Sequence, residues 1–138
     1  MDNKYNFERV EGGYIAVPKG RFVTKEEFAD LPRNGTINPH RIRFSQDDIA
    51  PNFRNAVGSV LDLTKKLTQN IVDPGSIKPI RIVQKDGMIF SLDNRRLHAF
   101  QLAGIEIPYI KIDQIPKTEL DKFTTDLNGY KIYTRKEK

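Results

Sequence analysis

Apolar and polar positions change period sharply over residues 80–104, IRIVQKDGMIFSLDNRRLHAFQLAG. Two short runs rich in β-branched and aromatic residues flank Asp86-Gly87, the strongest hairpin signal in the chain. A helical pattern follows without a linker, opening on Asp93-Asn94-Arg95-Arg96 and stopping at Gly104. Upstream, residues 1–35 read as an irregular lead-in with a short strand at 14–17 and a brief helix in TKEEFADL. Thr24 caps that helix and Glu27 completes a capping box. Pro32 and Gly35 then break the chain.

The remaining segments follow the same reading. INPHRIRF, 37–44, is extended and interrupted at Pro39, and Ser45 is placed to cap a turn or short helix in SQDDIAPNF. SVLDLTKKLTQN carries apolar residues at 60, 61, 63 and 67, which predicts an amphipathic helix. Asp73-Pro74-Gly75 predicts a turn, 108–112 a strand, Pro116 the first turn of a helix in PKTELDKF, and 129–134 a last strand. Strands and helices alternate over short connections without repeats. The expected fold is α+β, a small mixed sheet with helices, in one domain of residues 36–138 behind the lead-in.

With 38% apolar and 30% charged residues, the chain reads as a soluble globular domain, and no apolar run nears the ~20 residues of a membrane span. No signal-peptide pattern opens the sequence. The absence of cysteine excludes thiolate zinc sites, thiol nucleophiles and disulfides. The net charge of +5 suits a polyanionic partner, although several of the charges fall in the tail, at Lys131, Arg135, Lys136 and Lys138.

Candidate chemistry gathers in two places. On a wheel of ~100° per residue with Asn94 at zero, the apolar residues of 94–103 fill an arc of roughly 80° to 300°. Asn94, His98 and Gln101 form the polar face, while Arg95 and Arg96 fall inside the apolar arc. Arginines in a first turn oppose the helix dipole, so an acid (Asp93, Asp47 or Asp48) or an anionic ligand is expected to meet them. His98, on a solvated face, and Asp93 are the candidate acid or base. His40 sits in a loop. The second place is 43–48, where Arg43 could clamp phosphate, Ser45 and Gln46 could hydrogen-bond a ribose or base, and Asp47 or Asp48 could hold a metal. A Ser-capped helix with acids in its first turn accounts for the same residues without any function. No P-loop, GxGxxG or HExxH motif is present.

Residues 37–112 resemble the ParB/sulfiredoxin-like domain. INPHRIRFSQ stands where that family has I-x-P-x-x-I-R, SIKPIRIV where it has I-x-P-I-x-V, DNRRLHAFQLAG at its GERRxxAxxxAG box, and IEIPYIKI at its following strand. Asp93-Asn94 replaces the Gly-Glu of chromosome-partitioning proteins. The Gly-Cys-His-Arg box of sulfiredoxins is missing, and no helix-turn-helix follows. SLDNRRLHAFQLAG, with IRFSQDDI upstream and FTT…NG downstream, looks most like C-terminal toxin modules of bacterial polymorphic toxins of the Rhs or contact-dependent inhibition kind.

By this resemblance Arg95 and Arg96 take the phosphate positions, Asp93 and Asn94 open the same helix, and Arg43 takes the arginine position of the first segment. It implies an antibacterial effector delivered to a target bacterium's cytoplasm as part of a larger protein, opposed by an acidic immunity protein and not itself inserting in a membrane. Its activity would be cleavage of nucleic-acid phosphodiesters. The alternatives are a nucleotide-directed enzyme (an NTP hydrolase or phosphotransferase, with Mg2+) and a non-catalytic nucleotide- or nucleic-acid-binding module.

Overall fold

The two runs around Asp86-Gly87 form an antiparallel pair because both turn residues take the left-handed backbone that a tight hairpin turn requires, with φ of 53° and 79°. In a computed structural model, residues 5–10, 13–18, 21–46, 48–49, 59–122 and 132–135 are described. For 5–10, 13–18, 48–49, 121–122 and 132–135 only the backbone is described. The strands are β1 (Tyr5–Val10), β2 (Gly13–Pro18), β3 (Asn34–Ile37), β4 (Arg43–Phe44), β5 (Asp48–Ile49), β6 (Ile80–Lys85), β7 (Met88–Ser91), β8 (Ile107–Lys111) and β9 (Ile132–Arg135). The α-helices are α1 (Lys25–Asp30), α2 (Val60–Thr68) and α3 (Asn94–Ala103). Short 3-10 turns lie at Pro39–Arg41, Pro74–Ser76 and Lys117–Lys122.

The architecture is α+β. One sheet has the order β3-β8-β6-β7-β4 and is mixed, with β6/β7 and β3/β8 antiparallel and β6/β8 and β4/β7 parallel. A second has the order β1-β2-β9-β5. Phe44, Ile80, Ile82, Ile89, Leu97, Phe100 and Tyr109 form the core between the five-stranded sheet and its helices. α1 and α2 both open on side-chain caps. Ser59 and Asp62 make a reciprocal capping box on α2, as Thr24 and Glu27 do on α1. Thr64 Oγ1, besides bonding back to Val60, lies 3.4 Å from the Ala99 carbonyl of α3, where the two helices meet.

Three expectations need correction. The lead-in is more regular than expected, since its backbone forms the β1/β2 hairpin that β9 extends. Asp48–Ile49 is a strand where a turn or short helix in SQDDIAPNF was expected, and residues 50–53 of that segment lie outside the described residues. The Ser45 N–H instead donates to Asn94, so the serine joins a long-range pair. PKTELDKF forms a 3-10 segment over 117–122 where an α-helical turn was expected. Asp47, the FTT…NG segment from 123 on, the start of the last expected strand (129–131) and the tail Lys136–Lys138 lie outside the described residues.

Gly104 closes α3 with φ 69°, and its N–H reaches back to the Phe100 carbonyl at 2.9 Å. A Cβ is strained in this left-handed backbone, so Gly104→Ala is expected to cost about 1 kcal/mol. Chemical denaturation should show a lower midpoint with an unchanged slope.

Candidate functional site

α3 is buried on almost every side, and this decides the fate of most candidate residues. Asn94, His98 and Gln101 are 6%, 0% and 3% exposed, so the helix's polar face points inward. What covers it is the 39–46 segment. Asn94 Oδ1 accepts from the Ser45 N–H at 2.9 Å, and its Nδ2 donates to Ser45 Oγ at 2.9 Å and to Gln46 Oε1 at 3.4 Å. Gln101 Nε2 donates to the Pro39 carbonyl at 2.9 Å. Between them the Phe44 ring meets His98 edge-on, with centroids 6.2 Å apart. The helix positions i, i+4 and i+7 thus supply partners to a backbone that must cross the core without a full ladder.

His98 was expected on a solvated face and is instead sealed. Burial pushes its pKa down to about 4, the adjacent Gln101 amide opposes that shift, and the nearby His40 adds to it. A neutral imidazole with no exposed surface does not exchange protons with a substrate in solvent. His40, also 3% exposed, shares this interior.

Asp93 is the N-cap of α3 by position, yet its side chain makes no capping bond. Its carboxylate turns to β6. Oδ2 accepts from the Arg81 N–H at 2.8 Å and from Arg81 Nε at 3.1 Å, and Oδ1 accepts from Arg81 Nη2 at 2.9 Å. Arg96 Nη2 lies 2.9 Å from the same Oδ1. Burial alone would raise this carboxyl's pKa, but the Arg81 hydrogen bonds and the Arg96 charge outweigh it, and the net shift is downward. Four N–H contacts fill the lone-pair positions of a carboxylate. Asp93 is therefore neither a proton donor near neutral pH nor a fit ligand for Mg2+, which two guanidinium groups would also repel. Among the described residues no three His, Asp or Glu side chains gather as a metal site, and none of the helices is long and apolar enough to cross a membrane.

Of the two arginines read as ligand-facing, Arg96 has this internal partner. Arg95 is half-buried in the same turn and engages in an interaction of its own. Arg81 completes the group and was not singled out in the sequence. It pairs with Asp93 and, in a two-pronged contact, with Glu119: Nη1–Oε2 at 2.5 Å and Nη2–Oε1 at 2.7 Å. The hydrogen bonds that Arg81 donates to Asp93, against the cost of burial, and those it donates to Glu119 push its guanidinium still further toward the charged form.

Arg43 does not join this group. In register it stands beside Phe90, and Phe90 beside Val83, whereas Phe44 stands beside Ser91 on the face that α3 covers. Arg43 thus leaves the sheet on the face away from α3, and its guanidinium lies 4.3 Å over the Phe22 ring. Burial pushes its pKa down from the usual arginine value. It lines a shallow cavity of about 320 Å³ with Phe22, Thr24, Lys25, Gly87 and Met88. The single pocket expected from Arg43 and the start of α3 is divided in two: Ser45 and Gln46 reach the helix start, and Arg43 does not.

No family model matches this chain, and no curated protein matches it.

Proposed function

We propose that this domain is an effector module of the ParB/sulfiredoxin-like kind, carried by a bacterial polymorphic toxin, that cleaves nucleic-acid phosphodiesters with the phosphate seated at the start of α3. The observation that carries the reading is the first turn of that helix. Asp93 leaves its N–H groups without a side-chain cap, and Arg95 and Arg96 stand half-buried beside them. Backbone N–H groups and guanidinium forks together suit a phosphate, and they stabilise the charge that grows on it during attack. Asp93 and His98 do not supply the proton transfers, so the contribution of this turn is charge stabilisation. In this role the domain reaches the cytoplasm of a target cell, and a cognate immunity protein, acidic enough to cover the basic face, protects its producer.

One observation favours a second reading, a non-catalytic nucleotide- or nucleic-acid-binding module: the two candidate acid–base residues are both occupied structurally. Incubating the purified chain with plasmid, total RNA and each NTP, with and without Mg2+, separates the readings. Cleaved polymer supports the nuclease, converted nucleotide the nucleotide enzyme, and binding without turnover the module. Expression tolerated in bacterial cytoplasm would count against a toxin. Arg95→Ala is the cleaner active-site probe, because Arg96 also neutralises Asp93. It should lower turnover on the order of a hundredfold, far more than any loss of folded chain accounts for, which melting temperature and specific activity measured together check.

A further inference from the structure

Among the described side chains, the Arg81–Glu119 contact is where the 3-10 segment 117–122 is clamped to the five-stranded sheet by paired charges. Leu120, its largest apolar side chain, is 54% exposed, and a two-turn 3-10 segment is a weak element by itself. Glu119 nevertheless reaches a half-buried guanidinium with both carboxylate oxygens, its own side chain 16% exposed. A two-pronged carboxylate on arginine makes the same fork of paired N–H···O bonds that two oxygens of a phosphate make. The same cluster holds a further unused donor: Arg96 Nε is buried and without an acceptor among the described residues. A buried N–H left unmet in a group that is otherwise saturated points to an acceptor absent from the resting chain.

We propose that Glu119 is a carboxylate stand-in for phosphate, so that Arg81 and Arg96 form a phosphate-ester site that the 117–122 segment keeps closed until a ligand phosphate displaces it. The proposal rests on the phosphate-directed reading above and deepens it by adding Arg81 to the site and giving the site a latch. Asp93 stays in place throughout, neutralising part of the two guanidinium charges and orienting both side chains, while the exchange of Glu119 for phosphate conserves the fork on Arg81. The latch makes the resting site weak for small anions and selects ligands with enough phosphate charge to compete with a tethered carboxylate.

The test uses inorganic pyrophosphate as the probe, with calorimetry on the wild-type chain and on Glu119→Gln, and hydrogen exchange on the wild type. Glu119→Gln should bind pyrophosphate at least tenfold more tightly than the wild type. In the wild type, saturating pyrophosphate should slow exchange in the first turn of α3 and speed it over 117–122. The hydrogen-exchange arm needs no variant, so it decides even if Glu119→Gln folds poorly. Equal binding by both chains, with exchange at 117–122 unchanged, would overturn the latch and leave the phosphate site standing. Absence of binding by either chain would overturn both. Pyrophosphate binding without any nucleic-acid cleavage would leave the latch intact and remove only the nuclease reading.

Discussion

Arg81→Met is expected to destabilise the fold by about 3 kcal/mol, the low end of what removing one partner from a buried ion pair costs. Methionine replaces most of the volume of the arginine stem, so the loss is that of the charge and its donors. Two carboxylates depend on that guanidinium, with side-chain exposures of 14% for Asp93 and 16% for Glu119. Asp93 would keep Arg96, and Glu119 would lose its only ion-pair partner among the described residues. For a chain of this size such a loss lowers the melting temperature by about 10 °C. Arg81→Met with Glu119→Gln should recover part of the loss, since the double change no longer strands the Glu119 carboxylate. A double-mutant cycle in thermal denaturation measures that coupling. A cycle with no coupling, or an Arg81→Met chain as stable as the parent, would show the cluster to be an exposed ion pair worth little.

The hairpin–helix unit at 80–104 was legible because each of its boundaries has a local cause: two left-handed turn residues at Asp86-Gly87 and a glycine stop at Gly104. The capping box at Thr24 is equally local, set by residues three apart, and the one at Ser59, not singled out beforehand, has the same local cause. The site was far less legible, because its partners are remote. Arg81 reads as the outward residue of an alternating strand, and nothing near it signals Glu119, 38 residues on. The helical wheel ranked Asn94, His98 and Gln101 as solvent-facing because it counts polarity on one helix and does not see the 39–46 segment laid across it. Their partners are the Ser45 N–H and hydroxyl, the Phe44 ring and the Pro39 carbonyl, contacts made only after the sheet brings β4 beside β7. Polar residues on a helix face thus signal either water or a polar seam, and spacing alone does not separate the two.

That seam gives the second large effect, a loss of stability in mild acid. His98 is fully buried, and its pKa is about 4 in the fold against 6.5 for a free imidazole. The unfolded chain therefore binds a proton between these values that the folded chain refuses. The stabilisation from a neutral His98 is complete above pH 6.5 and is lost as pH falls toward 4, amounting to about 3 kcal/mol at 1.36 kcal/mol per pH unit. Carboxylates work in the same direction but in a lower window. Glu27, held at about 2 by its Arg41 hydrogen bond, loses its contribution only below its ordinary value of 4.5. Asp93, also shifted downward, begins to lose its contribution only as pH approaches its ordinary value of 3.8. Between pH 6.5 and 4.5 the slope accordingly belongs to His98. His98→Gln removes the proton-binding site while leaving a side chain that can hydrogen-bond. The variant should start less stable at pH 7.5, because the imidazole's fit against Phe44 is lost, and its stability should then change little down to pH 4.5. Urea denaturation of both chains at half-unit pH steps reads this directly. A wild-type curve that stays flat from 6.5 to 4.5 would mean that His98 reaches water in the folded state, and the exclusion of His98 from solvent-facing proton transfer would fall with it.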